Sequence, residues 1–302
     1  MIASLVTPQM KVLVQGLTGR AGRAQTARML HYGTDIVAGV SPRDDATGPV
    51  PCFRNCAEAV AATGAEASVI IVPPLAVLES IRDAVGAGIR LIVSISEGVP
   101  IHDALKARAL VRAAGVRWIG PSTPGLAIPG RIKLGFLPDI SLAPGRLGVM
   151  SKSGTLSYEV CHRLVTRGLG QSLWVGVGGD PVKGTRFADL LPVFEDDQDT
   201  DGLVVVGEVG GNEEEDLARR IVEDRFSKPV FALVAGRNAR EGVTMGHAGA
   251  LAGDGQGSVE AKAEALQAAG AMVFARIEDL ASAVAQRFSQ DRHHKALRAA
   301  TV

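Results

Sequence analysis

A single histidine, His247, lies in a glycine-rich segment whose composition suits a reactive site. The segment runs Thr244-Met-Gly-His-Ala-Gly-Ala-Leu251, with Gly246 and Gly249 on either side of the histidine. Because glycine has no Cβ, backbone or a phosphate group can approach the imidazole from several sides. We take His247 as a candidate nucleophile. The alternative, from the octapeptide alone, is an ordinary turn histidine at the mouth of a strand.

A second glycine-rich segment, Gln15-Gly-Leu-Thr-Gly-Arg-Ala-Gly22, joins the first predicted strand to the first predicted helix. Its glycines let the backbone turn tightly, and the helix N-terminus offers N–H groups and a partial positive charge to a phosphate. The spacing G-x-x-G-x-x-G is not the dinucleotide fingerprint, and such a turn also serves packing alone. Arg20 and Arg23 add positive charge beside it.

The end of the second predicted strand indicates which phosphate compound fits this turn. An NAD site would place an acidic side chain there to bind the ribose 2′-hydroxyl. The chain instead has Gly39-Val-Ser-Pro-Arg43. Arg43 favours a phosphorylated ribose, as in NADP or, at the 3′ position, in coenzyme A. Coenzyme A and NADP are both candidates from these residues.

A third segment, Ser151-Lys-Ser-Gly-Thr155, follows a strand and opens a helix in the second half of the chain. Its hydroxyl caps and glycine favour a second anion site, although an ordinary helix cap is the alternative. Glu208 ends a later strand, and ligands gather at the carboxyl ends of parallel strands. We therefore expect Glu208, His247 and this helix start to converge. A carboxylate beside an imidazole fixes its tautomer, which a histidine needs in order to attack phosphorus.

The elements that must position these residues alternate between strand and helix along the chain. Short apolar runs such as Lys11-Val-Leu-Val14, each followed by a helical pattern, are typical of a parallel sheet covered on both faces. The pattern predicts an α/β fold with a Rossmann-like domain over residues 1–125 and a second doubly wound, flavodoxin-like domain over 146–302. Residues 126–145, within a Pro- and Gly-rich stretch, are predicted to be connecting loops.

Composition excludes several classes of function. Of the 302 residues, 46% are hydrophobic and 21% charged, and Lys plus Arg equals Asp plus Glu at 32 each. This balance argues against a nucleic-acid partner. We expect no membrane association and a cytoplasmic location, because no apolar run reaches the roughly 18 residues of a span and no signal peptide is evident. Cys52 and Cys56 lack a second pair at metal-ligand spacing, so we expect reduced thiols and no metal site.

A set of short motifs extends in one order from about residue 8 to residue 288. The motifs are Gly16-Leu-Thr-Gly19, Ser96-Glu-Gly98, Gly120-Pro-Ser-Thr-Pro-Gly125, Ser151-Lys-Ser-Gly-Thr-Leu-Ser-Tyr-Glu159, Gly178-Gly-Asp-Pro181, Gly207-Glu-Val-Gly-Gly211 and Gly246-His-Ala-Gly-Ala250. Together they resemble the alpha subunit of succinyl-CoA synthetase, an ADP- or GDP-forming acid–CoA ligase, or a close paralogue such as malate–CoA ligase.

The resemblance implies a role for each matching residue. It implies that His247 is the phosphohistidine and that Glu208 is the carboxylate that orients it. It also implies that the helix N-terminus formed by Ser153, Gly154 and Thr155 binds the phosphate. The residues that it places against coenzyme A are Thr18, Gly19, Arg20, Arg43, Pro73 and Glu97. It also implies a beta subunit with an ATP-grasp domain, in a heterodimer or heterotetramer, that binds most of the ATP or GTP with its Mg.

Two departures from the family pattern affect the expected ligands. The family's Gly-Pro-Asn-Cys-Pro-Gly is Gly120-Pro-Ser-Thr-Pro-Gly125 here, and its Gly-Lys-Gly-Gly turn is replaced by Arg43-Asp-Asp-Ala46. We expect Arg43 to stand in for the charge of the missing lysine. We expect Ser122, Thr123 and Tyr158 to face a small carboxylic acid, with succinate as the default substrate. Because hydroxyls can bond a polar substrate, malate, another short dicarboxylate or a sulfur analogue is the alternative.

Two rival functions follow from the first domain alone. An NADP-dependent oxidoreductase would use it as a Rossmann module, and Arg43 permits this. A non-catalytic coenzyme A-binding regulator would keep the fold without phosphorylation. An oxidoreductase does not explain why the segment Ser151 to Thr155 should accompany His247.

Overall fold

The computed structural model describes residues 5–42, 50–238, 246–251 and 257–299, with the side chains of the last helix described as far as Phe288. This part of the chain forms two α/β units, each built around one sheet. The first contains β1 (Val12–Gln15), α1 (Arg20–Tyr32), β2 (Ile36–Val40), β3 (Cys52–Phe53), α2 (Cys56–Thr63), β4 (Ala67–Ile70), α3 (Val77–Gly86), β5 (Leu91–Ser94), α4 (Ile101–Ala113) and β6 (Arg117–Ile119).

The second unit is longer and ends in the helix that closes the chain. Its elements are β7 (Gly125–Ile128), β8 (Ile132–Gly135), β9 (Pro144–Ser151), α5 (Gly154–Val165), β10 (Gln171–Gly176), α6 (Phe187–Glu195), β11 (Gly202–Glu208), α7 (Glu213–Glu223), β12 (Val230–Ala235), α8 (Val259–Ala268), β13 (Met272–Phe274) and α9 (Ile277–Ala299).

The first sheet has the strand order β3-β2-β1-β4-β5-β6, and all of its strand pairs are parallel. This is the strand order of the Rossmann fold. Successive strands are added on one side of β1 as far as β3 and then on the other side from β4, so the switch point of the sheet lies between β1 and β4. The strands are mostly apolar because both faces of a parallel sheet are covered by helices. β4 and β5 are buried at every residue. The predicted fold of this unit is confirmed.

The second sheet has the order β13-β12-β11-β9-β10-β7-β8. Its five strands from β9 onward are mutually parallel and follow the 2-1-3-4-5 order of flavodoxin, with the switch point between β9 and β11. The predicted flavodoxin-like arrangement is confirmed. Strands β7 and β8 pair antiparallel with β10 and with each other, so the whole sheet is mixed.

Residues 126–145, expected to be connecting loops, instead hold most of this antiparallel edge. β7 and β8 form a hairpin that extends the second sheet beyond β10. The strands are only four residues each. Proline and glycine beside them obscure any period of two, which is why the sequence pattern predicted loops.

The same hairpin joins the two units. Thr34, just after α1, donates its hydroxyl to Lys133 O at 2.8 Å and accepts Lys133 N–H at 3.1 Å. Gly130 N–H donates to the Tyr32 hydroxyl at 2.9 Å, and the Lys133 ammonium lies 4.6 Å from the Tyr32 ring centroid. One continuous apolar cluster includes side chains from both sheets, Val14 and Val175 among them. The two units are therefore packed on each other through a shared core.

Among the described residues no helix is long and apolar enough to span a membrane. The three cysteines, Cys52, Cys56 and Cys161, are free thiols.

Candidate active site

His247 and Glu208 lie side by side at the carboxyl edge of the second sheet. His247 Nδ1 lies 2.8 Å from Glu208 Oε2. Glu208 is the last residue of β11, and its side chain is buried, whereas the imidazole keeps 21% of its surface exposed. An ionised carboxylate can only accept, so Nδ1 carries the shared hydrogen and the Nε2 lone pair is left for a reacting atom. The geometry gives His247 one nucleophilic nitrogen.

Gly179, in the loop after β10, lies directly against the imidazole ring of His247. A Cβ placed on Gly179 would lie only 2.4 Å from His247 Cγ, so no residue larger than glycine fits under the ring as it stands. Gly249 N–H donates to Gly179 O at 3.1 Å, and Ala250 N–H donates to His247 O at 3.0 Å. These contacts fix the histidine turn on the loop that supports the ring.

The charges around His247 favour its protonated form. The hydrogen bond with Glu208 raises the pKa of His247 above the ordinary histidine value, burial opposes the rise, and the charges of Glu208 and Glu97 add to it. Lys183 acts in the opposite sense. Because only neutral imidazole has a lone pair to donate, the raised pKa reduces the fraction of His247 that can act as a nucleophile at low pH.

The helix α5 begins beside this pair. Ser153 is its N-cap, and the Ser153 hydroxyl accepts Leu156 N–H at 3.3 Å. The N–H groups of the first turn, including those of Gly154 and Thr155, have no partner within a helix and carry its partial positive charge. Thr155 is exposed. β9, which leads into this helix, pairs with β11, which ends at Glu208, so the helix start and the histidine pair share the switch point.

The loop expected to bind the acid substrate lies over the same edge. Ser122 has φ +57°, its N–H donates to Ser96 O at 2.9 Å and its carbonyl accepts Gly179 N–H at 3.2 Å. Pro124 Cβ would lie 3.7 Å from a Cβ on Gly154. The loop therefore contacts the first unit, Gly179 beside the imidazole, and the start of α5. Ser122 is half-buried, and its hydroxyl has no hydrogen-bond partner within the described ranges.

Thr123 does not suit the role that the sequence suggested. Its hydroxyl donates to Gly176 O and accepts Gly125 N–H at 2.9 Å, and the side chain is 2% exposed. A hydroxyl has a single hydrogen to donate, and a carboxylate substrate requires donors. In this conformation Thr123 holds the loop to β10 and has no hydrogen left for a substrate.

Tyr158 lies one turn into α5. Its hydroxyl would be 3.3 Å from a Cβ on Gly154, and its ring meets Trp174 edge to face with centroids 5.8 Å apart. Burial raises the pKa of Tyr158 to about 12. The phenol is therefore a neutral donor beside the first turn of the helix.

The first glycine turn lines a separate cavity of about 530 Å³ at the switch point of the first sheet. Of the residues predicted to contact coenzyme A, Thr18, Gly19 and Pro73 line it. The Thr18 hydroxyl lies 2.8 Å from the Ser41 hydroxyl. Gly16 has φ +85°, and a Cβ there would lie 2.3 Å from Ile71 O, so the turn requires glycine at this position.

Two of the other predicted coenzyme A contacts, Arg20 and Glu97, do not line this cavity. Arg20 is exposed at the start of α1 and is absent from the lining of the cavity. Glu97 lies on the loop after β5, away from the cavity lining, where its charge raises the pKa of His247 and adds to the effect of burial on Asp180. Arg43 lies outside the described residues. The structure thus places Glu97 near His247 and not at the cavity lined by Thr18 and Pro73.

The sequence reasoning missed Arg54, which lines the same cavity. Arg54 directly follows β3, a two-residue strand too short to leave a period of two in the sequence. The available signal was the N-cap Asn55 at the start of α2, whose side chain accepts Glu58 N–H at 2.8 Å. That cap places Arg54 at the carboxyl end of a strand.

Buried charged residues behind the histidine pair were missed as well. Lys152 and Lys262 are 4% and 0% exposed, and both contact the fully buried Glu214. Charged residues are rarely buried without a partner, and no local pattern shows which ones will be. Among the described residues, no group of three or more His, Cys, Asp or Glu side chains is placed to hold a metal ion.

Two family models match the chain, one on each unit. The model described as a CoA binding domain matches residues 7–98, and the model described as CoA-ligase matches residues 150–272. The first range contains the cavity lined by Thr18 and Pro73. The second contains His247, Glu208 and the start of α5.

Relatives with curated names match over nearly the full length. ADP-forming succinate–CoA ligase subunit alpha 2 of Archaeoglobus fulgidus is 46% identical over 287 residues, which cover 94% of this chain and 99% of the relative. The ADP-forming succinate–CoA ligase subunit alpha of Aquifex aeolicus is 41% identical over 289 residues, 94% of each chain. The matched family models and these relatives give no support to an oxidoreductase.

Solved structures extend the likeness to larger chains. ATP citrate lyase from Methanothrix soehngenii, solved in complex with citrate and coenzyme A, superposes with a TM-score of 0.85 at 25% identity. The match covers 95% of this chain and 51% of that one, so this chain spans about half the length of that protein. From its identity to the curated relatives over nearly its whole length, the chain belongs to the family of succinate–CoA ligase alpha subunits.

Proposed function

We propose that this chain is the alpha subunit of an NDP-forming acid–CoA ligase that makes an acyl-CoA, with succinyl-CoA as the first candidate, through a phosphohistidine. The observation that carries the proposal is the contact of His247 Nδ1 with the buried carboxylate of Glu208 at 2.8 Å. The contact leaves one nitrogen free to react and lies at the switch point where α/β folds bind ligands. The family match supplies the reaction class.

The reaction consists of three displacements. First, Nε2 of His247 attacks the γ-phosphorus of the nucleotide, forming an N–P bond as the bond to the leaving NDP breaks. Next, a carboxylate oxygen of the acid attacks that phosphorus, and the N–P bond breaks to give an acyl phosphate. Finally, the coenzyme A thiol, losing its proton, attacks the acyl carbon and expels phosphate. A covalent intermediate divides one difficult step into easier ones.

Each described group has a task in this scheme. Glu208 keeps Nδ1 protonated and stabilises the positive charge that the ring gains as it attacks. The first turn of α5, with Ser153, Gly154 and Thr155, offers N–H groups and its partial positive charge to the phosphoryl oxygens. Coenzyme A occupies the cavity lined by Thr18, Gly19 and Pro73, with Arg54 as a cationic group for its phosphates.

The nucleotide is proposed to bind mainly on a partner. We assign ATP or GTP, with its Mg, to a beta subunit that carries an ATP-grasp domain, in a heterodimer or heterotetramer. Support comes from the names of the relatives, which are alpha subunits of ADP-forming enzymes. We place the assembly in the cytoplasm, where its free thiols stay reduced.

The acid is proposed to lie between the Ser122 loop and the start of α5. Ser122 has a hydroxyl to donate, Tyr158 is a neutral phenol beside Gly154, and the Thr123 hydroxyl is already used. Succinate is the first candidate, and malate or another short dicarboxylate or sulfo-acid is the alternative. The relatives' name, succinate–CoA ligase, supports the first.

A panel of acids tests this function. The chain, purified with its beta-subunit partner, is given ATP or GTP, coenzyme A and succinate, malate, itaconate, citrate or a sulfo-acid, and thioester formation is followed by mass spectrometry. We expect turnover with at least one short dicarboxylate and none with the His247→Ala variant. Preference for an acid other than succinate by about tenfold in kcat/KM, equal to about 1.4 kcal/mol, would reassign the substrate. Absence of any thioester would contradict the function.

A further inference from the structure

A buried ammonium group, that of Lys152, lies directly behind the histidine pair. Lys152 is the residue between β9 and the N-cap of α5, and its side chain is 4% exposed. Its Nζ lies 3.3 Å from each of three oxygens, namely Glu208 O, Gly210 O and Glu214 Oε1. An ammonium has three hydrogens, so these oxygens account for all of them.

The carboxylate of Glu208 has one occupied and one unoccupied oxygen. Oε2 contacts His247, whereas Oε1 is buried and has no hydrogen-bond partner in the described part of the chain. Lys152 Nζ lies 4.0 Å from that Oε1. A buried carboxylate without a nearby cation is strongly disfavoured, so this ammonium compensates the charge that Glu208 needs in order to orient His247.

Lys152 also fixes the backbone of Glu208 from both sides. The carbonyl of Glu208 accepts from Lys152, and the N–H of Glu208 donates at 3.0 Å to Glu214 Oε1, the same oxygen that Lys152 contacts. Glu214 is held in turn by Lys262. Burial lowers the pKa of Lys152, but the carboxylates of Glu214, Glu213 and Glu208 outweigh it and keep the group charged.

We propose that Lys152 is a positioning residue for the phosphohistidine reaction, holding Glu208 in the place and charge state in which it keeps Nδ1 of His247 protonated. The proposal rests on the proposed function. Without the ammonium, negative charge near His247 is left uncompensated. The protonated ring, which has no free lone pair, is then favoured, and the attack of Nε2 on phosphorus requires a higher pH.

Several other charges face this pair and are unchanged by substitution of Lys152. Glu97, from the loop after β5, favours the protonated ring, and Lys183, from the loop after β10, disfavours it. Asp180 is buried in the same loop as Lys183. Burial and the charge of Glu97 raise the pKa of Asp180, and the charge of Lys183 lowers it. Glu213 and Glu214 belong to α7. A comparison at one position therefore isolates the contribution of Lys152.

The test compares Lys152→Met with Lys262→Met, measuring the initial rate of histidine phosphorylation by Mg-ATP against pH in the complex with the beta subunit. Both lysines are buried and both contact Glu214, so each variant removes one buried ammonium group from the same carboxylate. We expect Lys152→Met to slow phosphorylation about tenfold at neutral pH and to move the acid limb up by about 0.5 pH unit or more. Lys262→Met should leave the limb within about 0.2 pH unit of wild type, because Lys262 contacts Glu214 and Glu215 but makes no contact with Glu208.

If Lys152→Met does not fold, a second pair of variants, in which the loss of the lysine charge is balanced by the loss of a carboxylate charge, gives the same comparison. Glu214→Gln keeps an oxygen for Glu208 N–H, and the double variant Lys152→Met/Glu214→Gln removes one charge of each sign. The acid limb of the double variant should lie above that of Glu214→Gln alone. ¹⁵N NMR of the histidines, with His247 assigned from His247→Ala, should show more protonated ring in each Lys152→Met protein than in its Lys152 parent at the same pH.

The outcomes separate this proposal from the proposed function. Wild-type complex that forms no phosphohistidine contradicts the function itself. Wild-type complex that does form it, together with a Lys152→Met acid limb coincident with wild type, or a Lys262→Met limb shifted as far as that of Lys152→Met, overturns the role of Lys152. Lys152→Arg, which retains the charge, should restore the wild-type limb, and failure to do so also overturns it.

Discussion

Glu208 holds His247 by Nδ1 at 2.8 Å while its own second oxygen stays buried and unbonded among the described residues. The two residues therefore have different roles. The buried carboxylate orients the imidazole, and the partly exposed imidazole keeps Nε2 free to react. Glu208 should therefore affect the rate of His247 phosphorylation and its dependence on pH, and Glu208 itself should not become phosphorylated.

Glu208→Gln should slow phosphorylation of His247 by about tenfold and move the acid limb of the reaction to lower pH. The Gln oxygen can still accept Nδ1–H, so the tautomer survives, but the negative charge that raises the pKa of His247 is gone. The pKa therefore falls toward its ordinary value and neutral imidazole persists to lower pH. Phosphorylation rates measured from about pH 5 to pH 9 check this, since ordinary histidine titrates near 6.5. An acid limb that moves upward would contradict the assignment.

Gly179→Ala should abolish most phosphorylation while leaving the fold in place. A Cβ at this position would lie 2.4 Å from His247 Cγ, so the ring must move and the contact with Glu208 must lengthen. We expect a loss of about 100-fold, as small misplacements of reacting groups cause. Gly86→Ala, where a Cβ meets nothing within 4 Å, is the control. Phosphorylation within twofold of wild type would show that the ring does not rest on Gly179.

Gly16→Ala should weaken coenzyme A binding and destabilise the first unit. The residue has φ +85°, and a Cβ would lie 2.3 Å from Ile71 O. Strain of this kind costs about 1–3 kcal/mol. Calorimetric titration with coenzyme A and thermal unfolding measure the two effects. Histidine phosphorylation, which takes place on the second unit, should change little. Wild-type affinity for coenzyme A would show that the cavity at this turn is not its site.

Ser122→Ala and Thr123→Val should have opposite profiles. Thr123→Val breaks two buried hydrogen bonds and should cost about 2 kcal/mol in the free energy of unfolding, with kcat lowered for every acid alike. Ser122→Ala should leave stability within about 0.5 kcal/mol and change the ratio of kcat/KM values between acids. Thermal unfolding and the acid panel distinguish them. A change of acid preference in Thr123→Val alone would contradict the reading of the loop.

The sequence predicted those features that local patterns encode. The two doubly wound units followed from apolar runs and glycine turns, and Glu208 beside His247 followed from the rule that strand ends share an edge. The hairpin of β7 and β8 was not predicted, because proline and glycine beside its four-residue strands obscure a period of two. Its place in the sheet depends on pairing of β7 with β10, more than forty residues later in the chain. The position of Glu97 depends on how the two units pack, which no local pattern contains.

Side-chain bonding was the other limit. Nothing in the sequence shows that the Thr123 hydroxyl is used within its own loop or that Lys152 is buried against Glu208 and Glu214. A lysine and a serine in a segment that opens a helix predict a capped, solvated turn on average. The burial of Lys152 depends on three carboxylates of the second unit, all contributed by residues more than fifty positions away.

The measurement that tests the central claim most directly is transfer of labelled phosphate from γ-labelled ATP to the wild-type chain and to His247→Asn, each in complex with the beta subunit. The account predicts that the wild type takes up acid-labile phosphate on Nε2 of His247, identified by ³¹P NMR, and that succinate or another short acid together with coenzyme A removes it. His247→Asn should take up none. Labelling of His247→Asn to the wild-type level, or label on Nδ1, would contradict the account.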